Sequence, residues 1–189
     1  MGLGKTLQAL CAVGLWVLEQ REGGGKETKE EEETKEKSRD VTCGVSLVVC
    51  PASVCLHWLT ETKMRFPVSL LRAVPFSQWA QGGEIEGEGE GGHVLVVASY
   101  DTVRRQLGPG SGGGKHNKHN KHSKKSKKGG KGNRDLSETR WEHLILDEAH
   151  LVKNPRTQTS KAVFGLASRS KHRLALTGTP VQNQVGGKS

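Results

Sequence analysis

The sequence predicts an α/β fold: a parallel sheet sandwiched by helices. Two observations predict it. Four apolar runs, Val45–Cys50, His93–Ala98, His143–Leu146 and Arg173–Leu176, are nearly continuous rather than alternating, as strands covered on both faces are. Helical stretches lie between them, at Thr6–Gln20, Ser53–Met64 and Thr157–Ser168. Strand and helix therefore alternate along the chain, the pattern of a parallel sheet with crossover helices.

Each element has a local reason. In the first helix Leu7, Leu10, Cys11, Gly14, Leu15 and Leu18 recur at helical spacing and form an apolar stripe. Ser53 is the expected N-cap of the second helix, and Trp58 is expected on that helix's core side rather than as a base-stacking ring. Three segments do not fit the core pattern and are read as disordered insertions, at about 21–41, 81–92 and 108–135. The first mixes Glu and Lys, the second alternates Gly and Glu, and the third is rich in Gly, Lys and His with a repeated Lys-His-Asn triplet. All three fall between core elements, where added chain costs little closure entropy.

Composition narrows the class. The chain has 189 residues, enough for one ordinary domain, but only 33% are hydrophobic and 25 are Gly, so part of it cannot be packed core. No apolar run approaches the ~20 residues of a membrane span, so no membrane partner is expected. No charged segment and cleavage site precede the first helix, so no signal peptide is expected. The net charge of +9 is local: Ser111–Arg134 holds eight Lys, one Arg and no acid, and elsewhere acids and bases balance. Cys11, Cys43, Cys50 and Cys55 form no C-x-x-C pair, and are read as reduced, buried thiols of a cytosolic or nuclear protein.

Three short strings carry the chemistry. Gly2-Leu3-Gly4-Lys5-Thr6 has the glycines that let backbone N–H groups turn inward around phosphate oxygens. Lys5 is placed to reach the β- and γ-phosphates, the Thr6 hydroxyl to ligate Mg²⁺, and the helix that follows presents its positive end. The full signature has a further glycine upstream of Gly4, at a position before Met1, so Met1 reads as an internal methionine or a displaced start. Asp147-Glu148-Ala149-His150 supplies paired carboxylates: Asp147 for Mg²⁺, Glu148 to polarise an attacking water, with His150 as a link to the next motif. Leu176-Thr177-Gly178-Thr179-Pro180 is a turn of the type that senses a nucleotide. Parallel strands would bring Pro51, Ser99-Tyr100, Asp147-Glu148 and Thr177-Gly178-Thr179 to one sheet edge, where open α/β folds bind ligands.

With those residues in place the chain resembles the Swi/Snf-type ATPases of helicase superfamily two. The match runs in that family's motif order: Met1-Gly2-Leu3-Gly4-Lys5-Thr6, then Val48-Val49-Cys50-Pro51 with His57-Trp58 and Glu61, then Ala98-Ser99-Tyr100. Leu146-Asp147-Glu148-Ala149-His150 with Lys153-Asn154 and Leu176-Thr177-Gly178-Thr179-Pro180-Val181-Gln182-Asn183 complete it. The resemblance implies a RecA-like P-loop NTPase lobe, the N-terminal helicase lobe, spanning 1–189 with motif I at 1–6 and motif III at 176–183. It implies ATP and Mg²⁺ as cofactors, with Gly2, Leu3, Gly4, Lys5 and Thr6 at the nucleotide and Thr6 and Asp147 at the metal. Asp147 and Glu148 would be catalytic, and His150, Thr177, Gly178, Thr179 and Gln182 would couple the nucleotide to the facing lobe. Pro51, Ser99 and Tyr100 would grip the backbone of double-stranded DNA. The implied activity is ATP-driven translocation on duplex DNA that displaces or remodels bound proteins in the nucleus, with nucleosomes or the TATA-binding protein as targets.

His57-Trp58 and Ala98-Ser99-Tyr100-Asp101-Thr102-Val103-Arg104 look most like the remodellers that strip TATA-binding protein from promoters. Ala149 departs from that group's usual Gly, and repair-linked members stay open as an alternative. The resemblance does not reach the family's second lobe, its arginine finger or the front half of the phosphate loop, so little or no ATPase activity is expected from the 189 residues alone. A non-enzymatic lobe that holds nucleic acid through its Lys-rich tract is the competing reading. A metabolic P-loop kinase would leave the second and third strings unexplained.

Overall fold

A computed structural model of the chain describes residues 4–23, 44–82, 92–108 and 134–178. The three expected insertions fall almost wholly outside the described residues. The elements in chain order are α1 (Lys5–Gly23), β1 (Val45–Cys50), α2 (Cys55–Arg65), β2 (Leu71–Pro75) and α3 (Phe76–Ala80). They continue with β3 (His93–Ser99), α4 (Tyr100–Leu107), β4 (Trp141–Leu146), α5 (Gln158–Ala167) and β5 (Ser170–Ala175). All the strand pairs are parallel, and the sheet order is β2-β3-β1-β4-β5.

Alternation along the central strands builds a core on each face. Leu47, Val49, Val94, Val96, Ala98 and Leu144 pack with Trp79, Val103, Val163 and Leu166, under α3, α4 and α5. Val48, Cys50, Leu95, Val97 and Ile145 pack with Leu10, Val13, Val17 and Trp58, under α1 and α2. This three-layer arrangement is why β1 and β3 are near-continuous apolar runs.

Several local expectations give way. The buried face of α1 is Ala9, Leu10, Val13, Gly14 and Val17, whereas Cys11, Leu15 and Leu18 are exposed. The helix is apolar on most sides, so spacing alone does not choose its face. Close approach does: a Cβ on Gly14 would lie 2.9 Å from the Phe66 ring. Ser53 is not an N-cap, because Ala52–Val54 forms a short 3-10 turn after Pro51 and α2 starts at Cys55 with no side-chain cap bond. The last strand is β5 at 170–175, an edge among the described strands whose last five residues are exposed rather than covered. Lys171, His172 and Arg173 place charge and polarity on that edge, which discourages pairing with other chains.

At the strand starts, opposite the motif edge, Ser46 Oγ is hydrogen-bonded to His93 Nε2 (2.7 Å) and His143 Nδ1 (3.0 Å). Trp16 of α1 meets both imidazoles edge to face. Burial pushes the His93 pKa down to about 3 and lowers that of His143 as well, so both are held neutral.

Candidate functional site

Register decides what meets at the other edge. Cys50 is level with Ser99, Val49 with Leu146, and Leu146 with Ala175. The residues that follow each strand, Pro51, Tyr100, Asp147 and Leu176, therefore emerge together. Two backbone bonds stitch the edge: Asp147 N–H donates to Val49 O (2.9 Å) and Ala149 N–H to Leu176 O (2.8 Å).

Lys5 opens α1, preceded by Gly4 at φ 136°, and the Gln8 N–H donates to the Gly4 carbonyl at 2.7 Å. That φ is in the range an L side chain rarely adopts, so glycine is required there. Lys5 and Thr6 are both half-buried. Gly2, Leu3, Thr179 and Gln182 lie outside the described residues.

The Lys5 ammonium and the Glu148 carboxylate converge on Gly178. A Cβ built on Gly178 would lie 3.0 Å from Lys5 Nζ, 3.5 Å from Glu148 Oε1 and 3.9 Å from its Oε2. A side chain at Gly178, three residues past β5, would thus meet both Lys5, which starts α1, and Glu148, two residues past β4. Glu148 itself is the only described non-glycine residue with positive φ, at φ 51° and ψ 50°. Such left-handed backbone costs a non-glycine residue about 1–3 kcal/mol and persists where the surroundings impose it, often at functional sites. His150 Nδ1 is 3.1 Å from Glu148 Oε2, so the histidine stands directly on that carboxylate.

Asp147 accepts from the Glu148 N–H at Oδ1 (2.9 Å) and from Trp58 Nε1–H at Oδ2 (3.0 Å). The Tyr100 hydroxyl donates to its backbone carbonyl (2.8 Å). Burial and the nearby Asp147 charge push the Tyr100 pKa well above the ordinary phenol range, so it stays a donor. Trp58 is fully buried on α2, as the core reading expects, but its bond to Asp147 has no sequence signal beyond the residue's own N–H. Ser99 caps α4, its Oγ accepting from the Thr102 N–H at 3.1 Å. Pro51 is half-buried and starts the 3-10 turn into α2. Cys50 Sγ and Cys55 Sγ are 3.5 Å apart as free thiols beside this edge, and burial keeps Cys50 protonated.

The donor set suits a magnesium nucleotide. Asp147 offers hard oxygen, each atom of its carboxylate having one lone pair engaged and others open. Lys5 offers a cation on the Glu148 side of the same edge, and the absence of a side chain at Gly178 leaves space against both Lys5 and Glu148.

The family model described as SNF2-related domain matches residues 1–187. The chain is 31% identical over 186 residues to TATA-binding protein-associated factor mot1 of Aspergillus fumigatus, covering 98% of this chain and 8% of that protein. It is 28% identical over 185 residues to TATA-binding protein-associated factor BTAF1 of Arabidopsis thaliana, covering 98% of this chain and 7% of that protein. The chain thus spans less than a tenth of the length of these relatives. Among solved structures, the Sulfolobus solfataricus SWI2/SNF2 ATPase core in complex with dsDNA matches with TM-score 0.58 and 27% identity, over 98% of this chain and 27% of that one. With its parallel sheet and a family match over nearly its full length, the chain belongs to the SNF2-related ATPase family.

Proposed function

We propose that the chain is the nucleotide-binding lobe of an ATP-driven, double-stranded DNA translocase that remodels protein–DNA complexes in the nucleus. The observation that carries the reading is the convergence of Lys5, Glu148 and Gly178, three residues from motifs far apart in sequence. Lys5 holds the β- and γ-phosphates, with Gly2, Leu3 and Gly4 supplying backbone N–H groups. Thr6 and Asp147 hold Mg²⁺. Bound magnesium would neutralise charge on the phosphates during transfer. Glu148 orients the attacking water, and His150 keeps that carboxylate in place from 3.1 Å. Thr177, Gly178, Thr179 and Gln182 report the nucleotide state to the facing lobe.

Pro51, Ser99 and Tyr100 start the two segments that face DNA backbone phosphates, a mode of binding that suits sequence-independent tracking. The relatives' names make the TATA-binding protein the favoured target over nucleosomes for this chain as well. The residues that match the family are those of motifs I to III, and the family's arginine finger belongs to the facing lobe. Such an arginine is worth ~10³–10⁵ in rate. A polypeptide of these 189 residues alone therefore binds MgATP with little turnover.

Titration calorimetry with ATP tests the reading. Saturable, Mg²⁺-dependent binding is expected, abolished by Lys5→Ala and weakened by Asp147→Asn. Binding that survives Lys5→Ala unchanged would overturn it.

A further inference from the structure

Asp147 is held at every polar atom it has. Its N–H donates to Val49 O (2.9 Å), and its carbonyl accepts from the Tyr100 hydroxyl (2.8 Å). Its Oδ1 accepts from the Glu148 N–H (2.9 Å) and its Oδ2 from Trp58 Nε1–H (3.0 Å). Only the Glu148 bond is local. The other three come from β1, from the first residue of α4 and from the first turn of α2, 89 positions away in sequence. A carboxylate that simply ended a strand would leave its outer oxygen to water.

Trp58 sits at 0% exposure, so its N–H needs a partner inside the protein. A backbone carbonyl would satisfy it equally well, yet it meets a carboxylate. The indole ring is clamped in the core between β1 and α1 neighbours such as Val48, Cys50 and Leu10, and cannot swing to follow a mobile acid. It is the rigid partner of the pair. With the Glu148 N–H on the other oxygen, it fixes rotation of the carboxylate about its terminal bond, and so fixes where the remaining lone pairs point.

We propose that Trp58 is a positioning residue for Asp147: its indole N–H locks the carboxylate in the orientation that takes a hydrated divalent cation. Resting on the nucleotide-site reading above, this also makes Trp58 and Tyr100 the physical link between that cation and the segments starting at Pro51 and Ser99. The 3-10 turn after Pro51 runs straight into α2, which carries Trp58, and Ser99 caps the helix that Tyr100 begins. A ligand that shifts either segment moves a donor on Asp147, and the coupling acts equally in both directions.

The test is a Mg²⁺ titration of ATP binding to the 189-residue chain, in four forms. These are the wild type, Trp58→Phe, Lys5→Ala, and the chain with benzothienylalanine at position 58, which keeps the bicyclic shape and lacks only the N–H. Removing a partner that orients a ligating group costs about 10–100-fold in metal affinity. Half-saturating Mg²⁺ is therefore expected to rise at least ~10-fold in both Trp58 variants, with metal-free ATP affinity unchanged. The benzothienylalanine protein, whose packing is preserved, carries the decision if Trp58→Phe fails to fold.

A second readout needs no turnover. In the ¹⁵N spectrum the Trp58 indole resonance moves when MgATP is added, while those of Trp79 and Trp141 on the other sheet face do not. If Lys5→Ala abolishes binding but the isostere keeps wild-type Mg²⁺ dependence, the role of Trp58 is overturned and the nucleotide site stands. If Lys5→Ala binds normally, the nucleotide site falls and this inference falls with it.

Discussion

Replacing Gly178 by Ala separates the site from the fold. The added Cβ would lie 3.0 Å from Lys5 Nζ and 3.5 Å from Glu148 Oε1. Ordinary separation between such atoms is about 3.5–4.0 Å, so the ammonium must retreat by about half an ångström. It can, because it ends a flexible four-carbon stem. The backbone does not resist either: Gly178 is exposed and is not among the positive-φ glycines. Under those conditions Gly→Ala is neutral or adds about 0.4–1 kcal/mol by narrowing the unfolded ensemble.

The cost falls on ligand binding. A hydrogen bond from a charged group is worth about 1.5–3 kcal/mol, and losing about half of it as the ammonium is displaced costs roughly tenfold in ATP affinity. Gly178→Val, with two more methyl groups in the same space, costs more. Thermal melting and ATP titration on the same samples read the two effects. Wild-type ATP affinity in both Gly178→Ala and Gly178→Val would refute the convergence of Lys5, Glu148 and Gly178 on a phosphate. A large fall in melting temperature for Gly178→Ala would refute the claim that this glycine serves ligand and not fold.

Four further outcomes are expected. Glu148→Gln keeps MgATP affinity but removes single-turnover hydrolysis in a protein that supplies the facing lobe, and Glu148→Asn, better suited to left-handed backbone, adds roughly 1 kcal/mol of stability as strain is relieved. Folding stability falls on acidification because the folded-state pKa of His93 is about 3, below the ~6.5 of the unfolded chain. The decline begins as pH drops below that unfolded value, amounts to ~2 kcal/mol by about pH 5, and is reduced in His93→Gln when denaturant melts are compared across pH. Changing Lys124, Lys125, Lys127 and Lys128 to Gln lowers the salt dependence of duplex DNA binding by up to ~0.9 in log–log slope for each phosphate no longer neutralised. Complete abolition of DNA binding in that variant would favour the Lys-rich tract over the Pro51 and Ser99 segments as the DNA site.

Much of the site is written in the chain because its parts are strand ends. Val45–Cys50 and His93–Ser99 are apolar enough to be read as doubly covered strands, and parallel pairing then carries Pro51, Tyr100 and Asp147 to one edge. β2 is not legible in the same way, because Leu71–Pro75 is short, contains Arg72 and ends in Pro75, so its local pattern resembles a loop. Its pairing with β3 is a tertiary fact. α4 is hidden for a similar reason: its eight residues include Asp101, Arg104 and Arg105, and only Tyr100 and Val103 are buried. The buried face of α1 cannot be picked from spacing, since apolar residues lie on most of its sides, and Gly14 against Phe66 makes the choice. The Trp58–Asp147 bond is out of reach of the sequence, since nothing local says which buried acceptor an indole 89 residues away will find.

Labelling with an acyl-phosphate derivative of ATP reads directly whether Lys5 rests on the phosphates of a bound nucleotide. In such a reagent the terminal phosphate carries an acyl group, and a lysine amine resting on the phosphates attacks the acyl carbon and expels ATP. Peptide mapping then names the lysine. Label is expected on Lys5, dependent on Mg²⁺ and competed by unmodified ATP. Label spread over Lys115–Lys131, with none on Lys5 that ATP can compete away, would contradict it and leave a polycation that merely attracts phosphate.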